Sequence, residues 1–317
     1  MAFDFSTVTS PFRMQPGLRR LANGAGQLTP LAWGDAALAE KLGVLTHHAT
    51  RALLVEPGFD AAPSIAALFR HASVEHPGAF AWDGHAHWQA PQLGWSVDEA
   101  GSVQGSGPSA IGDCLRALPK SWRAVGLLAL AFAEDFALLD GASGRVRWLA
   151  VCLPSHWAPE EKIGRHFTQI HAPVADNQTL LTASDHLVRL VTGADHWERF
   201  VWTITPCSTL DRHPARTPAA AWSATADAAQ LAAAAWFRTE RQTFIPAPDR
   251  REAIFTIHVE TRPLAAALPT ASHALALHDA LASMSLGVLA YRNLVDAQAR
   301  LLEWLAERAG STGPCGP

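Results

Sequence analysis

The chain has 317 residues, of which 49% are hydrophobic and 17% are charged, and its formal net charge is −4. This length and composition allow a sizeable buried core. The mildly acidic balance argues against a nucleic-acid partner. The longest apolar run, 124–133, is too short to span a bilayer, and we expect no membrane contact. The first residues show no basic start followed by an apolar run, so we expect a cytoplasmic protein.

Several common enzyme signatures are missing from the sequence. The four cysteines lie far apart, whereas iron–sulfur and structural zinc sites use closely spaced cysteines. There is no dinucleotide-binding glycine motif, no nucleophile elbow and no HExxH zinc motif. The chain is therefore not expected to take electrons directly from a nicotinamide cofactor.

Helices are predicted first along the chain. Leu38, Leu42 and Leu45 recur at helical spacing within 35–55, and Pro57 and Gly58 follow that segment. A second short helix is predicted over 63–71. The stretch 76–110 is rich in Gly, Pro and Trp and receives no assignment.

Strands are predicted in the centre of the chain. Apolar runs separated by short polar turns predict two hairpins, and alternation predicts a single strand between them. The predicted strands cover 127–140, 145–153, 199–205, 236–245 and 253–260. Five such strands predict an α+β fold with one antiparallel sheet.

The remaining segments are predicted to be helical or irregular. A loop over 154–177 precedes a helix that Thr182 and Asp185 would cap. The Ala-rich stretch 214–235 is typical of a linker or short helix. A helical region is predicted over 273–309, and 310–317 is predicted to be a disordered tail. Residues 1–309 are expected to form a single domain.

The loop over 154–174 contains three histidines, two basic residues and two carboxylates. A solvated connection is one interpretation. Ile163, Phe167 and Ile170 nevertheless recur at helical spacing, which would bury one face and present the other to a cavity. His171 would then be held rigidly, although a lone histidine more commonly has a structural role.

Charged residues also interrupt two apolar strands. Arg238 and Glu240 share one face of a predicted strand, and Arg241 lies on the other. They could form a buried ion pair, or they could bind the carboxylates of a ligand. Glu134 and Asp135 could neutralise these arginines or transfer protons.

These motifs together resemble the haem-dependent oxidative N-demethylase α-subunit family. The resemblance runs from about residue 11 to about residue 305 and is most specific in two segments. Those segments read WAPEEKIGRHFTQIHAPV, at 157–174, and RTERQTF, at 238–244. It implies a PAS-like, five-stranded antiparallel sheet with helical N- and C-terminal extensions and a bound haem b.

The resemblance also implies roles for individual residues. His171 is the preferred axial ligand of the haem iron, ahead of His156 and His166. Basic positions that match the family would bind the haem propionates, and an acidic pair would be catalytic. These residues are Lys162, Arg165, Arg238 and Arg241 for the propionates, and Glu134 and Asp135 for catalysis. The sequence departs from the family at His258, where an arginine is usual, and it contains one tyrosine, Tyr291.

In this family the haem activates O2 to oxidise a small methylated amine, which releases formaldehyde. Electrons come from a partner flavin/iron–sulfur reductase. The resemblance therefore implies a monooxygenase-type oxidoreductase. The alternative is a PAS-type haem sensor or carrier without turnover, because a fold alone does not define a function. The sequence shows no output domain or signalling helix, and this favours the enzyme.

Overall fold

The computed structural model describes residues 3–310, apart from the side chain of Pro248. It combines helices with antiparallel sheets, as the α+β prediction requires. The two predicted N-terminal helices are confirmed as α1 (Ala36–Ala52) and α2 (Ala62–Glu75). Pro63 lies in the first turn of α2, where its missing N–H costs no helical hydrogen bond.

The main sheet contains all five predicted strands and two further ones. The five are β7 (Asp135–Asp140), β8 (Arg145–Ala150), β9 (Trp197–Thr205), β10 (Trp236–Ala247) and β11 (Glu252–Pro263). The other two are β1 (Arg19–Arg20) and β2 (Leu53–Val55). The order is β1-β9-β10-β11-β7-β8-β2, and every pairing is antiparallel. The predicted count of five is too low because the two short edge strands carry no alternation that a sequence pattern could reveal.

A second sheet and two helices occupy the region that the sequence left partly unassigned. The four strands are β3 (Ala81–Trp82), β4 (His87–Ala90), β5 (Trp95–Asp98) and β6 (Val103–Gly105), and the helices are α3 (Ser109–Ala117) and α4 (Arg123–Ala131). The strand predicted from residue 127 begins only at Asp135. Residues 127–131 belong to α4 and are fully buried, and a helix that is apolar all round has no periodicity to distinguish it from a strand.

The remaining helices cover the main sheet. Three short helices follow β8, and five lie toward the C-terminus. They are α5 (Phe167–His171), α6 (Gln178–Thr182), α7 (Ser184–Val191), α8 (Ala228–Ala234), α9 (Leu264–Ala267), α10 (Ala271–Ala282), α11 (Leu286–Tyr291) and α12 (Gln298–Gly310). The predicted cap at Thr182 is wrong, because α7 begins at Ser184 and no side chain caps it. Of the predicted tail, Gly310 ends α12 and the rest lies outside the described residues.

The two faces of the main sheet have different partners. One face packs into the largest core cluster, which contains Phe136, Leu138 and Trp148 together with α1–α4. The opposite face carries the alternate residues, including Ala137 and Leu149, and is covered by α5–α7 and the preceding loop. Within residues 3–310, no helix has the length and apolarity that a bilayer crossing requires.

Candidate functional site

A cavity of about 550 Å³ lies between the main sheet and helices α5–α7. Its volume falls within the range of small-molecule and cofactor sites, roughly 300–1,000 Å³. Because side chains alternate along a strand, one face of five adjacent strands lines it. β7, β8 and β11 give an apolar half with Leu139, Leu149, Phe255 and Ile257. β9 and β10 give a half that is mostly polar.

His171 lies in the cavity wall at the end of α5. Its Nδ1–H donates to the carbonyl oxygen of Phe167 at 2.8 Å, and the two rings lie 4.1 Å apart between centroids. Burial, reinforced by the charges of Arg199 and Lys162, lowers the pKa of His171 to about 4. The imidazole is therefore neutral at pH 7, with its free lone pair on Nε2. No hydrogen bond occupies Nε2 within residues 3–310.

Local contacts fix the position of α5. His166 caps the helix, with its Nδ1 accepting from the Thr168 N–H and its own N–H donating to Gln169 Oε1. The Phe167 N–H donates to the carbonyl of Gly144 at 2.8 Å, which ties the helix to the turn between β7 and β8. A Cβ on Gly144 would lie 2.5 Å from the His166 ring, so the close approach requires glycine there.

Two arginines in the cavity wall have unsatisfied donors. No hydrogen bond or ion pair joins the Arg199 guanidinium to any residue of the described chain, and its Nε is buried. Arg292 donates through Nη1 to the carbonyl of Trp202 and lies over that indole, 5.4 Å from the ring centroid. Its Nε is also buried without a partner in residues 3–310. Burial lowers the pKa of both groups, that of Arg292 to about 10. Arginine side chains nevertheless keep their charge in proteins.

Arg238 and Lys162 add two further cations to the wall. The Arg238 guanidinium donates to Ser155 Oγ at 2.7 and 3.1 Å and to the carbonyls of Thr209 and Leu210 at 3.1 and 2.9 Å. It thus joins the two loops at that edge of the cavity. Lys162 Nζ approaches the Ile170 carbonyl at 3.4 Å. Burial lowers the pKa of both side chains, that of Arg238 to about 10.

Among the described residues that line this cavity, Glu240 is the single carboxylate. Gln242 donates from Nε2 to Glu240 Oε2 at 2.6 Å and so orients the carboxylate. Tyr291 also lines the cavity, although half of its surface is exposed. Burial and the nearby charge of Glu240 raise the pKa of this tyrosine.

Two of the predicted propionate ligands lie outside the cavity wall. Arg165 is exposed on the loop before α5. Arg241 faces the other side of the sheet, where it forms an ion pair with Glu198 at 3.0 Å and donates to the carbonyl of Gly26. The alternation along β10 separates Arg241 from Arg238, and the buried Arg–Glu pair is the contact that Arg241 makes.

The predicted catalytic acids also lie outside the cavity wall. Asp135 is buried, with Oδ1 3.2 Å from Lys41 Nζ and Oδ2 accepting from the Leu153 N–H at 2.6 Å. Glu134 accepts from the Thr29 N–H at 2.9 Å and lies 3.4 Å from His258 Nδ1. In the structure Asp135 therefore pairs with the buried Lys41, and Glu134 holds the Thr29 N–H and lies beside the His258 ring.

The structure places His171, Lys162 and Arg238 in one cavity wall and adds residues to which the sequence assigned no role at the site. Arg199, Glu240 and Arg292 complete the charged part of the wall. The period-two spacing of Arg199 with Val201 and Thr203 was a usable signal for a shared face. Arg292 directly follows α11, far from the strands in sequence, and gave no comparable signal.

These features define a protein with a cofactor-sized cavity that has an apolar half, the imidazoles of His156 and His171 in its wall, and a cationic edge. The chain matches the family model described as haem-dependent oxidative N-demethylase, alpha subunit-like, over residues 36–302, and it belongs to that family. No curated protein matches the chain. Within residues 3–310 there is no group of three or more His, Cys, Asp or Glu side chains that could hold a metal ion. A haem iron does not require one, because the porphyrin supplies four of its ligands.

Proposed function

We propose that this chain is the haem-binding subunit of an oxidative N-demethylase that acts on a small methylated amine. The observation that carries the proposal is His171. Its Nδ1–H is held by a backbone carbonyl, its ring is neutral, and its Nε2 is available in an apolar cavity. A backbone hydrogen bond to the outer nitrogen commonly orients a metal-ligating histidine.

Besides His171, the residues of the cavity fit haem b in two respects. The half formed by Leu139, Leu149 and Phe255 matches an apolar macrocycle. Lys162 and Arg238 could hold the propionates by charge-assisted hydrogen bonds. We further propose that β7–β11 correspond to a PAS-type sheet, with β1 and β2 as edge additions. When bound, haem supplies the activation of O2.

Glu240, rather than Glu134 or Asp135, is the carboxylate that we assign to the amine. Its cavity position allows an ion pair with a methylated ammonium, and Gln242 holds it in orientation. The net reaction converts the amine, O2, two electrons and two protons to the demethylated amine, formaldehyde and water. A C–H bond of the methyl group is replaced by a C–O bond, and the C–N bond then breaks.

We propose that the electrons come from another protein. The sequence has no dinucleotide-binding motif and no closely spaced cysteines, and the family name describes an alpha subunit. We propose a flavin/iron–sulfur reductase as the partner, so the isolated chain should not couple NADPH oxidation to loss of the amine. Turnover and formaldehyde release should appear once a reductase is added.

The ligand assignment is tested by spectroscopy. Protein from haem-replete cells should show a Soret band at nearly one haem per chain. His171→Gly should lose or strongly shift that band, and added imidazole should restore it. His156→Ala is the matched control, because His156 is the other histidine in the cavity wall. Loss of the band in His156→Ala, with an unaltered His171→Gly spectrum, would overturn the assignment.

A further inference from the structure

Arg199 is a cavity cation without an anionic partner. Its neighbour across the sheet, Gln242, is neutral, and no carboxylate lies within ion-pairing distance of the guanidinium in the described chain. A buried charge is costly unless it is paired and hydrogen-bonded. The Nε of Arg292, on the same cavity wall, is likewise buried and unpartnered among residues 3–310. Within the described residues the Nη groups of Arg199 make no hydrogen bond and Arg292 uses only Nη1, so both arginines have Nη donors available to an anionic ligand.

The charges of the wall exceed what haem can neutralise. Lys162, Arg199, Arg238 and Arg292 face the cavity against the one carboxylate of Glu240, which leaves an excess of three positive charges. Two propionates offset two of them. A simple methylated ammonium would then add a positive charge to a site that is already positive. A substrate that carries its own carboxylate has no net charge and would leave the charge of the site unchanged.

The arrangement of the polar half favours a zwitterion over a lone anion. Glu240 pairs with Val201, two register positions from the Arg199–Gln242 pair and therefore on the same face of the sheet. Its charge acts on both Arg199 and Arg292. An acceptor for an ammonium and donors for a carboxylate therefore lie side by side, as they would for the two charged groups of an amino acid.

We infer that the Arg199–Arg292 corner binds the carboxylate of the substrate, and that the preferred substrates are N-methylated amino acids rather than simple methylamines. The inference rests on the proposed demethylase function. The amino nitrogen pairs with Glu240, and the carboxylate accepts hydrogen bonds from the two guanidinium groups. Demethylation follows the same atom balance as above and leaves the free amino acid and formaldehyde.

The test compares matched ligands on the haem-loaded protein by Soret titration and by calorimetry. The ligands are N-methylglycine, its neutral amide and dimethylamine. N-methylglycine should bind about tenfold or more tightly than the other two, since hydrogen bonds to a buried charged group contribute on that scale. Equal or weaker binding of N-methylglycine, with dimethylamine still bound, would overturn this inference and leave the demethylase proposal intact. Absence of a Soret band would instead overturn the proposed function.

Variants identify the residue that binds the carboxylate of the substrate. Arg199→Gln should bring the ratio of N-methylglycine to dimethylamine affinity close to one, and Arg199→Lys should restore part of it. Arg262→Gln, which removes a half-exposed arginine on β11, is the matched control and should keep the wild-type ratio. If Arg199→Gln instead lowers haem content and leaves the ligand ratio unchanged, Arg199 binds a propionate and the inference is wrong.

Discussion

Lys41 should be among the residues on which the stability of the fold depends most. Its ammonium group, fully buried, contacts the carbonyls of Ala129, Phe132 and Glu134 at 3.2, 2.9 and 2.5 Å and Asp135 Oδ1 at 3.2 Å. Lys41→Met leaves the buried carboxylate unpaired and the end of α4 uncapped. Breaking a buried pair in this way costs about 3–5 kcal/mol. We expect a loss of that size in the free energy of unfolding, measured by urea titration at pH 7.

A double-mutant cycle separates the ion pair from the carbonyl contacts. Asp135→Asn removes the charge but keeps an oxygen that can accept from the Leu153 N–H. The double variant Lys41→Met/Asp135→Asn should therefore be more stable than the sum of the single effects predicts, by about 2 kcal/mol. Lys120→Met, at an exposed lysine, is the control and should cost less than about 0.5 kcal/mol. Strict additivity, or a loss below about 1 kcal/mol for Lys41→Met, would refute the reasoning.

Three further predictions test other parts of the structure. Val201→Trp places an indole in the cavity and should lower the haem bound per chain at least tenfold, with an unchanged far-ultraviolet circular dichroism spectrum. Gly112→Ala should cost about 1–3 kcal/mol in a urea titration, because the added Cβ would lie 2.3 Å from the Trp95 ring. Burial raises the pKa of Glu252, so its carboxyl group favours the folded state less as the pH rises through that pKa. Glu252→Gln should consequently gain stability relative to wild type between about pH 4 and pH 7, and a constant difference over that range would contradict the assignment.

Much of the strand and helix pattern could be predicted from the sequence. The alternation of Phe255, Ile257 and Val259 identified β11, and the spacing of Leu38, Leu42 and Leu45 identified α1, because these elements each have one apolar side. The pattern failed where both sides are buried, as in residues 127–131. It also failed for strands of two or three residues, which pair only because a neighbouring strand is already in place.

The sequence by itself also determined that this chain belongs to a haem-associated family, since the match follows from local residue order. It left His171 in a predicted loop, which in the structure contains α5. Only the tertiary structure decided which charges share the cavity. Strand alternation already put Arg238 and Arg241 on opposite faces, but only the structure shows that Arg238 faces the cavity and Arg241 faces Glu198. Arg199 and Arg292 are distant in sequence, yet they line one wall because α11 ends against β9. Alternation along a strand predicts which face a residue occupies. Which residues meet it across a cavity depends on how the whole chain packs.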